Sequence, residues 1–225
     1  MEVKNKIAVV TGASSGIGYA LSAELVKAGA KVYCLSLDKP AVPVDGVVYL
    51  EVDLTQEKAV ADAVLQIMEP VDILVNNAGV MRRGHYYEIG ADDFDLVWNV
   101  AVKGYWLMFK YLRAKLAKSA MTVQINSKNA LVKKADTFVY TLSKLADLEI
   151  DALVAQDRPD LDMRVVHFAR VDTALEWTGY TEAQKAEKIV TALSPERAGE
   201  LVSELIRSDF TRLVPLGESV EYRME

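Results

Sequence analysis

A chain of 225 residues, 51% hydrophobic and 26% charged, can bury a substantial core and is read as a single domain over residues 1–225. Its formal charge of −6, with basic residues scattered, offers no concentrated positive surface for nucleic acid or anionic lipid. No charge-free stretch reaches the roughly 18 residues of a membrane span, and MEVKNKIAVV lacks the pattern of a secretory signal, so a cytoplasmic protein is expected.

Six β-branched runs alternate with longer amphipathic segments: KIAVV, KVYCLSL, VVYLEV, VDILV, TVQIN and MRVVHF. Several are apolar on both faces, which predicts a doubly wound parallel α/β sheet of six or seven strands, with ligands at the strands' carboxyl ends. After the first run comes a glycine loop, Thr11-Gly12-Ala13-Ser14-Ser15-Gly16-Ile17-Gly18, and YALSAELVKAG continues it as a helix. Such a loop lets backbone approach a pyrophosphate, which then sits on the free N–H groups at the helix start. The second run carries Cys34, expected to be a buried, inert thiol. About 20 residues beyond the loop stands Asp38, a carboxylate suited to a ribose 2′-hydroxyl. If the strand continues that far, Ser36 and Asp38 share one face. DKPAVPVDG then replaces a crossover helix with an extended connection, because two prolines and a glycine interrupt it.

The third run leads to Asp53-Leu54, and the fourth to Asn76-Asn77-Ala78-Gly79. Arg82, Arg83 and His85 follow and are read as a solvated loop within reach of a polar or anionic substrate. His85 and His167 lie far apart, without cysteines at ligand spacing, so no metal site is expected. Asn99 falls inside a helix in DLVWNVAVKGYW, and KGYWLMFKYLRAKLAK reads as an amphipathic helix holding Tyr111 and Lys115. That pair has the same spacing as Tyr140 and Lys144 in YTLSK. Ser127, at the end of the fifth strand, lies 13 residues before Tyr140, whereas 13 before Tyr111 stands Trp98. After the sixth strand come Val171-Asp172-Thr173 and a polar segment, residues 174–192, expected to form a flap over a site. Ser194 and Pro195 open a further helix, and Thr211 to Leu216 suggest a last strand.

Taken in order, TGxxxGxG, NNAG, the helix asparagine, the Ser127–Tyr140–Lys144 set and the VxT element resemble the classical short-chain dehydrogenase/reductase family. The resemblance implies a Rossmann-like fold and an oxidoreductase interconverting a small alcohol and carbonyl with a nicotinamide cofactor. It implies a catalytic set of Asn99, Ser127, Tyr140 and Lys144, with Asn99 holding a water that leads to the lysine. Cofactor contacts are implied at Gly12, Ser14, Ser15, Gly16, Ile17, Gly18, Ser36, Asp38, Asp53, Leu54, Asn77, Ala78, Gly79, Val171 and Thr173, with Tyr140 and Lys144 also touching it. A tyrosine working near pH 7 needs its pKa lowered by about three units, and a lysine one turn away supplies attraction for the phenolate. NAD is expected over NADP because Asp38 would repel a 2′-phosphate and Ser15 brings no positive charge; Lys39 keeps NADP possible. The family's paired dimerisation helices resemble those carrying Tyr111 and Tyr140, implying a homodimer or homotetramer. The chain departs from the family at Phe168-Ala169, usually Pro-Gly, and at Ala130, often glycine. A non-catalytic dinucleotide-binding redox sensor is the alternative, although such a sensor needs no matched serine, tyrosine and lysine.

Overall fold

A computed structural model of the chain describes residues 1–215 and 222–225. One sheet runs through it in the order β3-β2-β1-β4-β5-β6-β7-β8. Its strands are β1 (Ile7–Thr11), β2 (Lys31–Ser36), β3 (Val47–Glu51), β4 (Val71–Asn76), β5 (Leu116–Ser127), β6 (Asp162–Phe168), β7 (Arg212–Pro215) and β8 (Tyr222–Met224). The first seven pair in parallel, and β8 adds an antiparallel edge that the sequence reading did not anticipate. β7 is the expected last strand, although Leu216, assigned to it from sequence, lies outside the described residues.

The helices are α1 (Gly16–Lys27), α2 (Glu57–Leu65), α3 (Ala91–Trp98), α4 (Gly104–Leu112), α5 (Lys128–Val132), α6 (Phe138–Asp157), α7 (Ala174–Trp177), α8 (Glu182–Lys188) and α9 (Pro195–Arg207). Alternation along the strands explains why helices cover both faces. In β1, Ala8 and Val10 join Leu21 and Leu25 of α1 and Leu205 of α9 in one core, while Val9 faces Val60 of α2 and Leu107 and Leu112 of α4 in the other. Cys34 is fully buried in the first core. As expected, residues 38–46 form no helix, and β2 passes to β3 through a connection of bends and a turn. Ser194 caps α9 by accepting from the Arg197 N–H at 3.1 Å, with Pro195 in the first turn.

The helix expected over KGYWLMFKYLRAKLAK ends at Leu112, because Leu112 O accepts a turn bond from Lys115 N and Lys115 O accepts from Val71 N of β4. Strand pairing thus begins at the residues that the amphipathic pattern had continued as helix. β5 is correspondingly longer than TVQIN: it pairs Leu116 with Val71 and Met121 with Ile73, with a bulge between and Ser119 at φ 60°. The strand order reverses between β1 and β4, so the crevice outside Thr11 and Asn76 is where such a sheet holds a ligand.

Candidate active site

At that crevice the chain leaves β1 into the glycine loop. Gly12 has φ +64°, and a Cβ there would lie 2.7 Å from the Ala78 Cα, so only glycine lets the loop and the residues after β4 come this close. The Asn77 side-chain amide clamps the two segments, donating to Thr11 O and Gly12 O at 2.9 Å each. Thr11 Oγ1 receives the backbone N–H groups of Asn77 and Ala78 at 3.0 and 3.1 Å. Ser36, at the end of β2, accepts from the Ala13 N–H at 2.7 Å and fixes the loop from the other side. Thr173 closes over it, with its Cγ2 3.1 Å from where a Gly16 Cβ would stand.

These elements form one end of a cleft of about 390 Å³, a volume within the range of cofactor sites. Ser14, Ser15, Gly16 and Ile17 line this end, Ser36, Asp53 and Leu54 its side, Asn77, Ala78, Gly79, Val171 and Thr173 its middle, and Ser127, Tyr140 and Lys144 its far end. Three expected residues do not reach its wall. Gly18 lies beneath, where a Cβ would sit 2.5 Å from the Asn77 amide nitrogen. Asp38 is exposed, because β2 stops at Ser36 and the two residues do not share a strand face. Asn99 opens a five-residue π-helical turn, Asn99–Lys103, between α3 and α4; its neighbour Val100, not Asn99 itself, lines the cleft.

At the far end, Ser127 caps α5 by accepting from the Asn129 N–H at 3.1 Å, which fixes its hydroxyl at the strand's end. That hydroxyl lies toward the Tyr140 phenol and favours its ionised form. One turn along α6, the Lys144 ammonium donates to Ile125 O at 3.1 Å and to Asp147 Oδ2 at 3.0 Å. Burial pushes the phenol above its ordinary pKa; Lys144 and Ser127 pull it down, and Glu176 and Asp147 push it up. The lowering expected from Lys144 is therefore present but outweighed by burial. Burial also disfavours the Lys144 ammonium, yet Asp147 and Tyr140 together raise its pKa.

A short chain dehydrogenase family model matches residues 6–178. The chain belongs to the short-chain dehydrogenase family. It is 31% identical over 234 residues to 1-deoxy-11-beta-hydroxypentalenate dehydrogenase of Streptomyces avermitilis, covering 93% of this chain and 84% of that one. An uncharacterized oxidoreductase of Thermotoga maritima is 31% identical over 178 residues, 73% of this chain and 70% of the other. The crystal structure of a short chain dehydrogenase family protein from Francisella tularensis superposes with a TM-score of 0.81 at 25% identity, over 91% of this chain and 92% of that one. As a member of the short-chain dehydrogenase family, the protein is an oxidoreductase that acts with NAD(P) on a small molecule. Among the described residues no helix is long and apolar enough to cross a membrane.

Arg83 is not the solvated residue expected from its loop. It lines the cleft, donates to Thr178 O at 2.9 Å and Glu176 O at 2.8 Å, and stacks over the Tyr180 ring at 3.9 Å. Arg170 pairs with the Glu176 carboxylate at 3.1 Å, and Trp177 Nε1 donates to Asp172 at 2.6 Å. Together these bonds dock α7 and the segment after it against the far end of the cleft, where the flap was expected. Arg82 instead pairs with Asp93, and His85 stacks on Tyr87. Sequence reading missed Glu176, because Arg83, 93 residues earlier, meets it only through the fold. It also missed Asp147, although a signal existed: Asp147 stands three residues past Lys144, on the same helix face.

The second tyrosine–lysine pair is pulled apart. Tyr111 bonds Glu57 of α2 at 2.8 Å, and Lys115, beyond the helix end, donates to Ile67 O.

Proposed function

We propose that the protein interconverts a small alcohol and its carbonyl compound, with Tyr140 as general acid and base. The observation that carries this reading is the buried Tyr140 phenol, one turn from the Lys144 ammonium and on the wall of the same cleft as Ser127 and the glycine loop. When bound, NAD(P)H supplies the hydride that the protein lacks. The cleft fits that group: the Gly12–Ala78 approach leaves backbone at its floor, and the free N–H groups at the start of α1 face the end where a pyrophosphate would lie. Ser127 holds the substrate oxygen against the phenol and stabilises charge as it develops there. Tyr140 gives its proton to that oxygen in reduction and takes it back in oxidation. Lys144 favours the phenolate and is placed to bind the nicotinamide ribose. Asn99, at the π-helical turn, is proposed to hold a water on the route from Lys144 to solvent.

NAD is the proposed cofactor. Around Ser36, Leu37 and Asp53 no lysine or arginine among the described residues lines the cleft, and Lys39 pairs with Glu51 at 2.9 Å. Asp38 has no part in this preference. We also propose a cytoplasmic homodimer or homotetramer formed through α4 and α6, each of which leaves a large apolar side chain exposed, Trp106 and Leu153.

The test is turnover of a set of small aldehydes and ketones with NADH and NADPH. Tyr140→Phe is expected to lower kcat by at least about a hundredfold, the size of an acid–base contribution, while NADH still binds. Tyr111→Phe serves as the control and keeps the rate. Turnover that survives Tyr140→Phe refutes the mechanism and favours a cofactor-sensing role.

A further inference from the structure

The face of α6 that carries Tyr140 and Lys144 continues inward with two acids, Asp147 and Asp151, at helical spacings of three and four. Asp147 is 2% exposed and bonds the Lys144 ammonium at 3.0 Å through Oδ2. Its other oxygen, Oδ1, is buried without a hydrogen-bond partner among the described residues. One turn further, Asp151 accepts from the Tyr105 hydroxyl of α4. The described β5 groups at the cluster are uncharged: Asn126 donates to Lys144 O and Gln124 Oε1 at 2.9 Å each, Ile125 O accepts from the Lys144 ammonium, and the Ser127 hydroxyl lies toward Tyr140. Glu176 adds a negative charge from beyond Tyr140.

We propose that Asp147 is a positioning residue that holds the Lys144 ammonium and, by neutralising it, keeps the Tyr140 phenol protonated near neutral pH, biasing the site toward carbonyl reduction. The inference rests on Tyr140 being the acid and base. A lone ammonium beside a buried phenol favours the phenolate, because ionisation makes the pair neutral. With a carboxylate on the ammonium's other side, the cluster is already neutral while the phenol keeps its proton, and ionisation would leave a buried net negative charge. Reduction needs the protonated form: the carbonyl carbon gains a hydride, its oxygen gains the phenol proton, and the phenolate left behind is reprotonated from water. Asp151 strengthens the bias as it ionises. Burial, opposed by the Tyr105 hydrogen bond and helped by the neighbouring Asp147 charge, pushes its pKa up to about 7.

The experiment follows tyrosinate absorbance against pH in the cofactor-free protein, each protein minus its Tyr140→Phe counterpart, so that only this phenol of the 10 tyrosines is read. Asp147→Asn is expected to lower by about one unit the pH at which the Tyr140–Lys144 pair loses its first proton, a tenfold gain in ionised pair at a given pH. Asp147→Glu keeps the wild-type titration, and Asp151→Asn shifts it the same way by less. NADH affinity within about threefold of wild type shows that the Asp147→Asn site is intact. A wild-type titration in an Asp147→Asn protein that binds NADH overturns the proposal. If that variant does not fold, an unchanged titration in Asp151→Asn overturns it instead. Failure of the acid–base reading looks different: carbonyl turnover that survives Tyr140→Phe.

Discussion

Gly18→Ala sets two general effects against each other. Gly18 lies in the first turn of α1, and alanine in a helix is favoured over glycine by about 1 kcal/mol. Here, however, the added Cβ would sit 2.5 Å from the Asn77 amide nitrogen, 2.8 Å from Gly12 O and 3.1 Å from the Ala13 Cα. Two of those atoms belong to backbone that cannot swing away, and the third is the donor of both bonds that clamp β4 to the glycine loop. Overpacking costs about 1–3 kcal/mol, and each hydrogen bond lost about 1 kcal/mol. The local terms exceed the propensity gain and leave a net loss of about 2–4 kcal/mol. For a domain of this size that lowers Tm on the order of 5–15 °C. Urea unfolding gives the free energy, and NADH titration should show weaker binding, because the displaced loop is the end of the cleft proposed to hold the cofactor's phosphates. A variant as stable as wild type, or more so, with unchanged NADH affinity would refute the claim that close approach governs this position.

Other consequences are checked as directly. Cys34 is buried and its thiol is pushed up to about 11 by burial, so an aromatic disulfide reagent at pH 8 should label it only at the rate of unfolding; rapid labelling of the native protein contradicts this. Asp151 should make stability fall with pH. Its carboxyl titrates near 7 when folded and near its ordinary value, about 4, when unfolded. The unfolded state therefore releases the proton first, and stabilisation present below about pH 4 is lost as pH rises to about 7. Asp151→Asn should flatten that decline in urea unfolding measured at several pH values, whereas a parallel curve refutes it. Arg83→Met removes the bonds to Thr178 and Glu176 and the stack on Tyr180. Limited proteolysis should then cut within residues 178–191 at least several-fold faster, with the sheet intact.

What was legible in the sequence is what short-range pattern encodes. Parallel strands appear as apolar runs because both faces are covered, and the missing crossover helix appears as Pro40 and Pro43, which no helix interior accommodates. Long-range pairing was illegible. Nothing near Lys115 announces that its carbonyl will accept from Val71, and the amphipathic pattern ran on past the real helix end. Arg83 looked like a solvated charge for the same reason, since Glu176 and Tyr180 reach it from the far side of the cleft. Asp38 failed by a different route. Its role required β2 to continue two residues beyond Ser36, but Ser36 turns its hydroxyl onto Ala13 and the strand ends there.

The two tyrosine–lysine pairs show how much a spacing can carry. Four residues on a helix bring side chains to one face only if both residues are in the helix, and for Tyr111 and Lys115 the helix ends between them. In the other pair the helix is 20 residues long, and the same periodicity extends from Lys144 to Asp147 and Asp151. A stripe that begins at the cleft with a phenol and continues through an ammonium to one buried and one half-buried carboxylate joins the proposed proton-transfer site to groups near α4 by charge alone. On the proposed mechanism the phenol's protonation depends on Asp147 and Asp151, which do not line the cleft, so Tyr140 and Lys144 alone would not determine the pH at which the site works.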